Sequence, residues 1–268
     1  MSVHAIDATA DAVTQAKIDL AAAHRLACYH DLDEGIDNHF TVTVPGRDDR
    51  FLILPFGLHW SEASANSMIM YDTAGATVEG DGICELSAHC IHTPIHRITG
   101  ARVVLHTHQT WALALNMIDH NRLVPASQTA AFFHGRVAYD DVYAGTADFT
   151  SEGERLAGLL GERHTVFMKN HGVLVVGDTV AQAYRRLYLL ERVCRAQVLA
   201  MSTGRPLAAL SDEVIASVKK PAAHDTHDTH DTHDTHDTHD SHDSRTREHL
   251  FFEAMKRVMD REMPGYAN

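Results

Sequence analysis

Two pairs of short apolar runs, Phe40 to Val44 with Phe51 to Leu54 and Val166 to Lys169 with Val173 to Val176, each have only a tight turn between their members. Parallel neighbours need a crossover of a dozen or more residues, so strands this close together pair antiparallel. That spacing excludes a simple train of βαβ units and predicts a largely antiparallel or mixed sheet. The turns are legible as Pro45-Gly46-Arg47-Asp48 and Asn170-His171-Gly172. Met68 to Tyr71 followed by Asp72 to Gly75 reads as a further hairpin, and Arg102 to Leu105 as another short strand.

Between and around these runs the apolar period changes to that of a helix. Ala10 to His30 places Val13, Ile18, Ala22, Leu26 and Tyr29 on one side, and Asp178 to Thr203 does the same with Ala183, Leu187, Leu190, Cys194 and Gln197. Ser87 to Ile98 reads as a helix that Pro94 kinks or delays, and Trp111 to Met117 also has helical character. Ser151 and Glu154 match a capping box opening the helix Arg155 to Leu160, which Gly161 closes. The expected architecture is therefore α/β, a sheet with helices packed on its faces.

Lys plus Arg number 23 against 36 Asp plus Glu, a formal charge of −13, and no basic stripe offsets it. Nucleic acid is excluded as a partner on that ground. The apolar runs are far shorter than the roughly 20 residues that span a bilayer, and Met1 to Gln15 has no basic segment leading into an apolar one. The expectation is a soluble cytoplasmic protein with no membrane partner. Cys28, Cys84, Cys90 and Cys194 contain no CxxC pair and read as reduced thiols.

Histidine is the anomaly, at 22 residues, of which seven lie in a triplet tract from His224 to Ser244. The tract has no apolar face at any period and reads as a disordered insert tolerated in a loop. The expected organisation is a metal domain over 1–205, a linker containing the tract over 206–245, and a C-terminal helix over 246–268 that packs on the domain. In that helix Leu250, Phe251, Ala254, Met255, Val258 and Met259 recur at helical spacing.

Among the other histidines, His106-Thr107-His108 ends the strand begun at Arg102. Alternation puts both imidazoles on one face, about 6.5 to 7 Å apart at Cα. His171 is exposed by the turn before Gly172, a residue expected there for its backbone freedom. Three neutral imidazoles from two strands make a facial half-site for a divalent metal with positions left open. Zinc is the first candidate, with Mn2+ or Fe2+ as alternatives.

The run Arg102-Val-Val-Leu-His-Thr-His-Gln-Thr-Trp-Ala-Leu-Ala-Leu resembles the metal strand and following helix of the class II aldolase/adducin family. Lys169-Asn-His-Gly-Val-Leu-Val-Val-Gly-Asp-Thr-Val-Ala-Gln-Ala is similar to that family's second metal motif, and Phe51-Leu-Ile-Leu-Pro-Phe-Gly-Leu and Ser61-Glu-Ala to positions ahead of its site. The resemblance spans roughly residues 10 to 205. It implies a three-layer α/β/α domain with a central, mainly antiparallel sheet, a divalent metal on His106, His108 and His171, and a homotetramer. In the family's lyases the metal polarises a carbonyl and stabilises the enediolate formed as a carbon-carbon bond breaks.

The sequence departs from the sugar-phosphate aldolases of the family at the phosphate grip, which here reads Asn38-His39-Phe40-Thr41 and Gly82-Ile-Cys-Glu-Leu-Ser-Ala-His89. A small, non-phosphorylated carbonyl or hydroxy-acid substrate is implied. The family's acid/base glutamate lies four residues before a helix histidine: counting from His89 gives Glu85, and counting from His92 gives Ala88. Glu85 and His92 are the two candidates for acid/base or substrate contact, His92 sharing a helical face with His89 and His96. Tyr139 is similar to a family aromatic near the substrate and reads first as a core residue. The leading function is a metal-dependent lyase of aldolase or decarboxylase type. A non-haem iron oxygenase on the same three histidines and an adducin-like interaction module are the alternatives.

Overall fold

The computed structural model describes residues 3–120, 122–143, 145, 147–220 and 246–268, and the triplet tract lies outside them. The elements are α1 (Val3–Tyr29), β1 (His39–Val44), β2 (Arg47–Ile53), β3 (Ile69–Asp72), β4 (Thr77–Glu79), α2 (Leu86–Thr99), β5 (Val103–Thr107) and α3 (Thr110–Met117). They continue with α4 (Gln128–Phe133), β6 (Val137–Asp140), α5 (Thr150–Leu160), β7 (Thr165–Met168), β8 (Gly172–Gly177), α6 (Val180–Met201), α7 (Asp212–Lys219) and α8 (Arg247–Glu262).

The eight strands form one sheet in the order β4-β3-β2-β1-β5-β8-β7-β6. The β6–β7 pair is parallel and the other pairs run antiparallel, as the short turns require. Alternation sorts the side chains into two layers. On one face Phe40, Val42, Val103, Leu105, Val173 and Val175 pack with Leu20 and Leu26 of α1, Leu187 and Leu190 of α6, and Phe252 and Met259 of α8. On the other, Val104, Val166, Leu174 and Val176 pack with Ile91 and Ile95 of α2 and Leu156 and Leu160 of α5. The result is the expected three-layer α/β/α arrangement. The C-terminal helix is part of the larger core, and α7 lies inside the stretch read as a linker, with Ile215 buried.

α5 corrects the expected start. It begins at Thr150, with Phe149 as its N-cap and no side-chain capping bond, so Ser151 sits inside the first turn. Two contacts to α2 fix that earlier turn. Arg97 takes the Glu154 carboxylate at 2.9 Å, and Gly153 lies so close that a Cβ there would stand 2.3 Å from the Cys90 carbonyl oxygen. Pro94 has no N–H to offer the carbonyl four residues back, which is that of Cys90, and α5 covers it there. α2 nonetheless runs unbroken through Pro94.

All four cysteines are free, Cys90 and Cys194 buried and the other two half-buried. Among the described residues no helix is long and apolar enough to cross a membrane.

Candidate metal centre

The strand register builds the centre. His39 of β1 stands opposite His106 of β5, and β8 continues on the far side with Leu174 opposite His106. His106 faces the α2 layer and is buried. His108, just past β5, and His171, in the β7–β8 turn, converge on it: the three rings lie with centroids 4.8 to 4.9 Å apart. One ring nitrogen of each falls within 4.8 Å of the others.

The outer nitrogens are committed. His106 Nδ1 is 3.0 Å from the Val173 carbonyl oxygen, which can only accept, so that nitrogen carries the hydrogen. His108 Nδ1 faces the Glu34 carboxylate and donates to it in the same way. Both inner nitrogens are then lone pairs when the rings are neutral, yet His106 Nε2 and His108 Nε2 approach to 3.0 Å. Two acceptors at that distance repel unless a cation lies between them, so the donor set fits a divalent ion bound through Nε2. Burial, then the neighbouring imidazoles, holds His106 well below the usual histidine range, and burial followed by His108 lowers His171 to about 4. Both therefore offer neutral nitrogens at neutral pH.

The turn that carries His171 differs from the expectation in its cause. Asn170 takes the left-handed backbone, at φ 53°. Gly172 is needed for closeness: a Cβ there would lie 2.4 Å from the Thr107 carbonyl oxygen and 2.8 Å from His108 Cδ2. Asn116 of α3 ties both sides of the turn, its amide donating to the carbonyls of Met168 and Gly172. The His108 segment is held likewise. The Asn38 side-chain oxygen accepts from its N–H at 3.3 Å, and the buried Glu191 carboxylate accepts from Trp111 and Ala112 N–H at 2.8 and 3.0 Å. Burial raises the Glu191 carboxyl above its ordinary range, and those two N–H bonds oppose the shift.

Behind the cluster lies a second run of histidines. His39 Nδ1 meets His92 Nε2 at 2.9 Å, His92 Nδ1 meets the Thr41 hydroxyl at 2.7 Å, and that hydroxyl meets His96 Nε2 at 2.7 Å. His96 Nδ1 ends the run by donating to the Ala101 carbonyl at 2.6 Å. That carbonyl fixes the tautomers, because His96 and His92 then donate through Nδ1 and accept through Nε2, and His39 donates through Nδ1. His92 is fully buried and reaches His106 through His39, whose ring centroid is 5.0 Å from that of His106. Glu85 is 27% exposed and stands at the outer end of the same run, with Oε2 3.5 Å from His39 Nε2. Its other oxygen accepts from the Ser87 hydroxyl at 2.6 Å. His89 sits apart, half-buried, 3.2 Å from the Thr93 hydroxyl.

Glu34 and Asn116 are site residues that sequence reasoning passed over, and Asn38 and His39 entered it only as departures from the family's phosphate grip. A signal existed for His39: His39, Thr41 and Thr43 alternate on one face of β1 and point at the histidine face of α2. Tyr139 takes the core role, its hydroxyl accepting from Leu123 N–H at 3.0 Å and its ring stacked on Phe167.

Comparison with known proteins agrees with this construction. The family described as Class II Aldolase and Adducin N-terminal domain matches residues 18–198. A provisionally named aldolase class 2 protein of Caulobacter vibrioides is 32% identical over 260 residues, covering 96% of this chain and 94% of its own. The decarboxylase NovR of Streptomyces niveus is 30% identical, over 65% of this chain and 64% of its own. The crystal structure of an aldolase II superfamily protein from Pseudomonas syringae superposes with a TM-score of 0.82 at 31% identity, covering 96% of each chain. With a matching fold, a matching length and a three-histidine cluster of the composition that binds divalent metals, this chain belongs to the class II aldolase and adducin family.

Proposed function

We propose that His106, His108 and His171 hold one divalent cation, zinc in the first instance, and that the protein is a carbon-carbon lyase of aldolase or decarboxylase type. The observation that carries this reading is the convergence of three ring nitrogens with two facing lone pairs 3.0 Å apart. Bound there, the cation supplies Lewis-acid charge to an oxyanion developing on the substrate.

The chain's own groups supply the rest. Glu85 accepts and returns the proton: its carboxylate is partly open, and Ser87 orients it. His92 positions His39 between that carboxylate and His106. The substrate is small and carries no phosphate, because the residues at the family's phosphate grip are already engaged. Asn38 Oδ1 accepts from the N–H groups of Glu34 and His108, and the Thr41 hydroxyl is locked between His92 and His96. Residues 1–205 form the catalytic domain, and the assembly is a homotetramer of a cytoplasmic enzyme.

The test is a panel of small hydroxy- and keto-acids and non-phosphorylated carbonyl compounds, assayed with metal analysis on the same preparation. Glu85→Gln should keep its metal and lose most turnover, by about 10²-fold or more. Parent activity in Glu85→Gln removes it from the reaction. Activity that requires iron and oxygen overturns the lyase reading.

A further inference from the structure

At the opposite end of β7 from His171 the surface holds a cleft of about 480 Å³. Arg136, which precedes β6, Arg185 and Arg186 of α6, and Lys219 at the end of α7 line it, and among the described residues Glu248 is the acid that lines it with them. Such a concentration is unusual in a chain of net charge −13, and it stores repulsion that an anion would relieve.

Arg185 meets Glu248 at 3.4 Å, whereas Arg186 donates to the Val176 carbonyl at 2.6 Å and Lys219 donates to the His134 carbonyl. Neither carbonyl carries a charge. The guanidinium of Arg136 makes no hydrogen bond among the described residues and is exposed. The crowding has an electrostatic trace. Burial, then Arg186 and Arg136, lowers His164 in the cleft wall to about 3, and Arg186 is itself held below the usual arginine range by burial, with Asp178 and Glu248 opposing the shift and Arg136 and Arg185 adding to it. Phe132, 37% exposed, and Leu189 give the cleft an apolar side.

We propose that this cleft is a second ligand site, separate from the metal centre, for a small organic phosphate whose phosphoryl group lies between Arg136 and Arg186 and whose organic part rests on Phe132 and Leu189. Planar guanidinium donors suit phosphate oxygens in pairs. A cavity of this size falls in the range that takes metabolite-sized ligands. The histidines of the metal centre are at the far end of the strand, so occupancy here needs no contact with the reacting groups.

The experiment is a ³¹P NMR titration of the full chain with inorganic phosphate and with phenyl phosphate, at low ionic strength and pH 8, where a free imidazole is largely neutral. Saturable binding of both is expected, phenyl phosphate the tighter by about threefold or more through its apolar contact. Arg136→Gln, an exposed substitution that leaves the core alone, should weaken both about tenfold. Lys219→Gln should weaken both to a lesser degree, and Arg195→Gln and His108→Ala should bind as the parent does. Absence of saturation, undiminished binding in Arg136→Gln, or equal affinity for the two probes overturns the proposal. Loss of binding in His108→Ala would place the anion on the metal instead and overturn it equally. Binding that disappears as the chain self-associates would assign the cleft to a contact between copies.

Discussion

Two groups of three histidines share one face of the central sheet, and they are built for opposite ends. In His106, His108 and His171 the outer nitrogens of two rings are fixed on acceptors and the inner ones are turned on each other without a hydrogen between them. In His39, His92 and His96 the nitrogens form a continuous series that closes on a backbone carbonyl. The ring separations are much alike, 4.9 Å for His106 to His108 and 4.5 Å for His39 to His92. Proximity of imidazoles therefore does not mark a metal site. What distinguishes the two is whether the ring nitrogens that face each other have a hydrogen between them.

The sharpest way to break that contrast is to remove one ring from each group and count metal. In a variant lacking 224–244, so that the tract's seven histidines do not mask the result, His108→Ala should reduce bound divalent metal to near zero, as read by elemental analysis. His92→Ala should keep it. Equal metal in His108→Ala and its parent would erase the distinction.

Acid should act on the second group through stability. Burial holds His39 at about 3 and His96 at about 4, against 6.5 for a free histidine. Below pH 6.5 the unfolded chain therefore binds more protons than the folded one, so stability is complete above that pH and is lost as the pH falls towards 4. Each ring contributes a slope of up to about 1.4 kcal/mol per pH unit inside that window. His24, buried against the opposite face and lowered by burial to about 4, adds to the same slope. A Tm measured on metal-stripped protein should decline steadily from pH 6.5 to 4.5, and a flat profile would mean these rings are not buried neutral.

Single deletions inside α2 sharpen the comparison further. His96→Ala strands the Thr41 hydroxyl in a dry interior, leaves the half-buried Ala101 carbonyl without its donor, and should cost about 2–4 kcal/mol in denaturant unfolding, with metal content unchanged. His89→Ala, one turn before His92 but half-buried and with its ring bonded to Thr93, should cost under about 1 kcal/mol. Similar costs for the two would deny the buried series its structural role.

Much of this was legible in the residues, and the gaps have physical causes. The antiparallel sheet followed from the short turns, and the His106, His108 and His171 trio from alternation in one strand and one turn. β1 shows where such reading stops. Its alternation of Phe40 and Val42 with His39, Thr41 and Thr43 identifies two faces, and the polar one would ordinarily meet water. Here α2 covers it, because His92 and His96 supply the donors and acceptors that a dry polar face needs, a match between elements some fifty residues apart. Glu34 was hidden for a similar reason: a carboxylate in a connecting segment has no period to betray it. Gly172 was expected for the right residue type and the wrong cause, since backbone freedom is a local property and the approach of Thr107 is not.

The bonds from Asn38, Glu191 and Asn116 to the segments carrying His108 and His171 have one more consequence. None of these three groups is itself among the converging ring nitrogens. The geometry of the three rings is thus maintained by neutral and anionic anchors that do not depend on a bound metal. Loading of one ion or another would then need no refolding. A preformed set of three imidazoles accepts several divalent ions according to their intrinsic affinities, so which metal such a site would carry is decided by the supply around it more than by the fold.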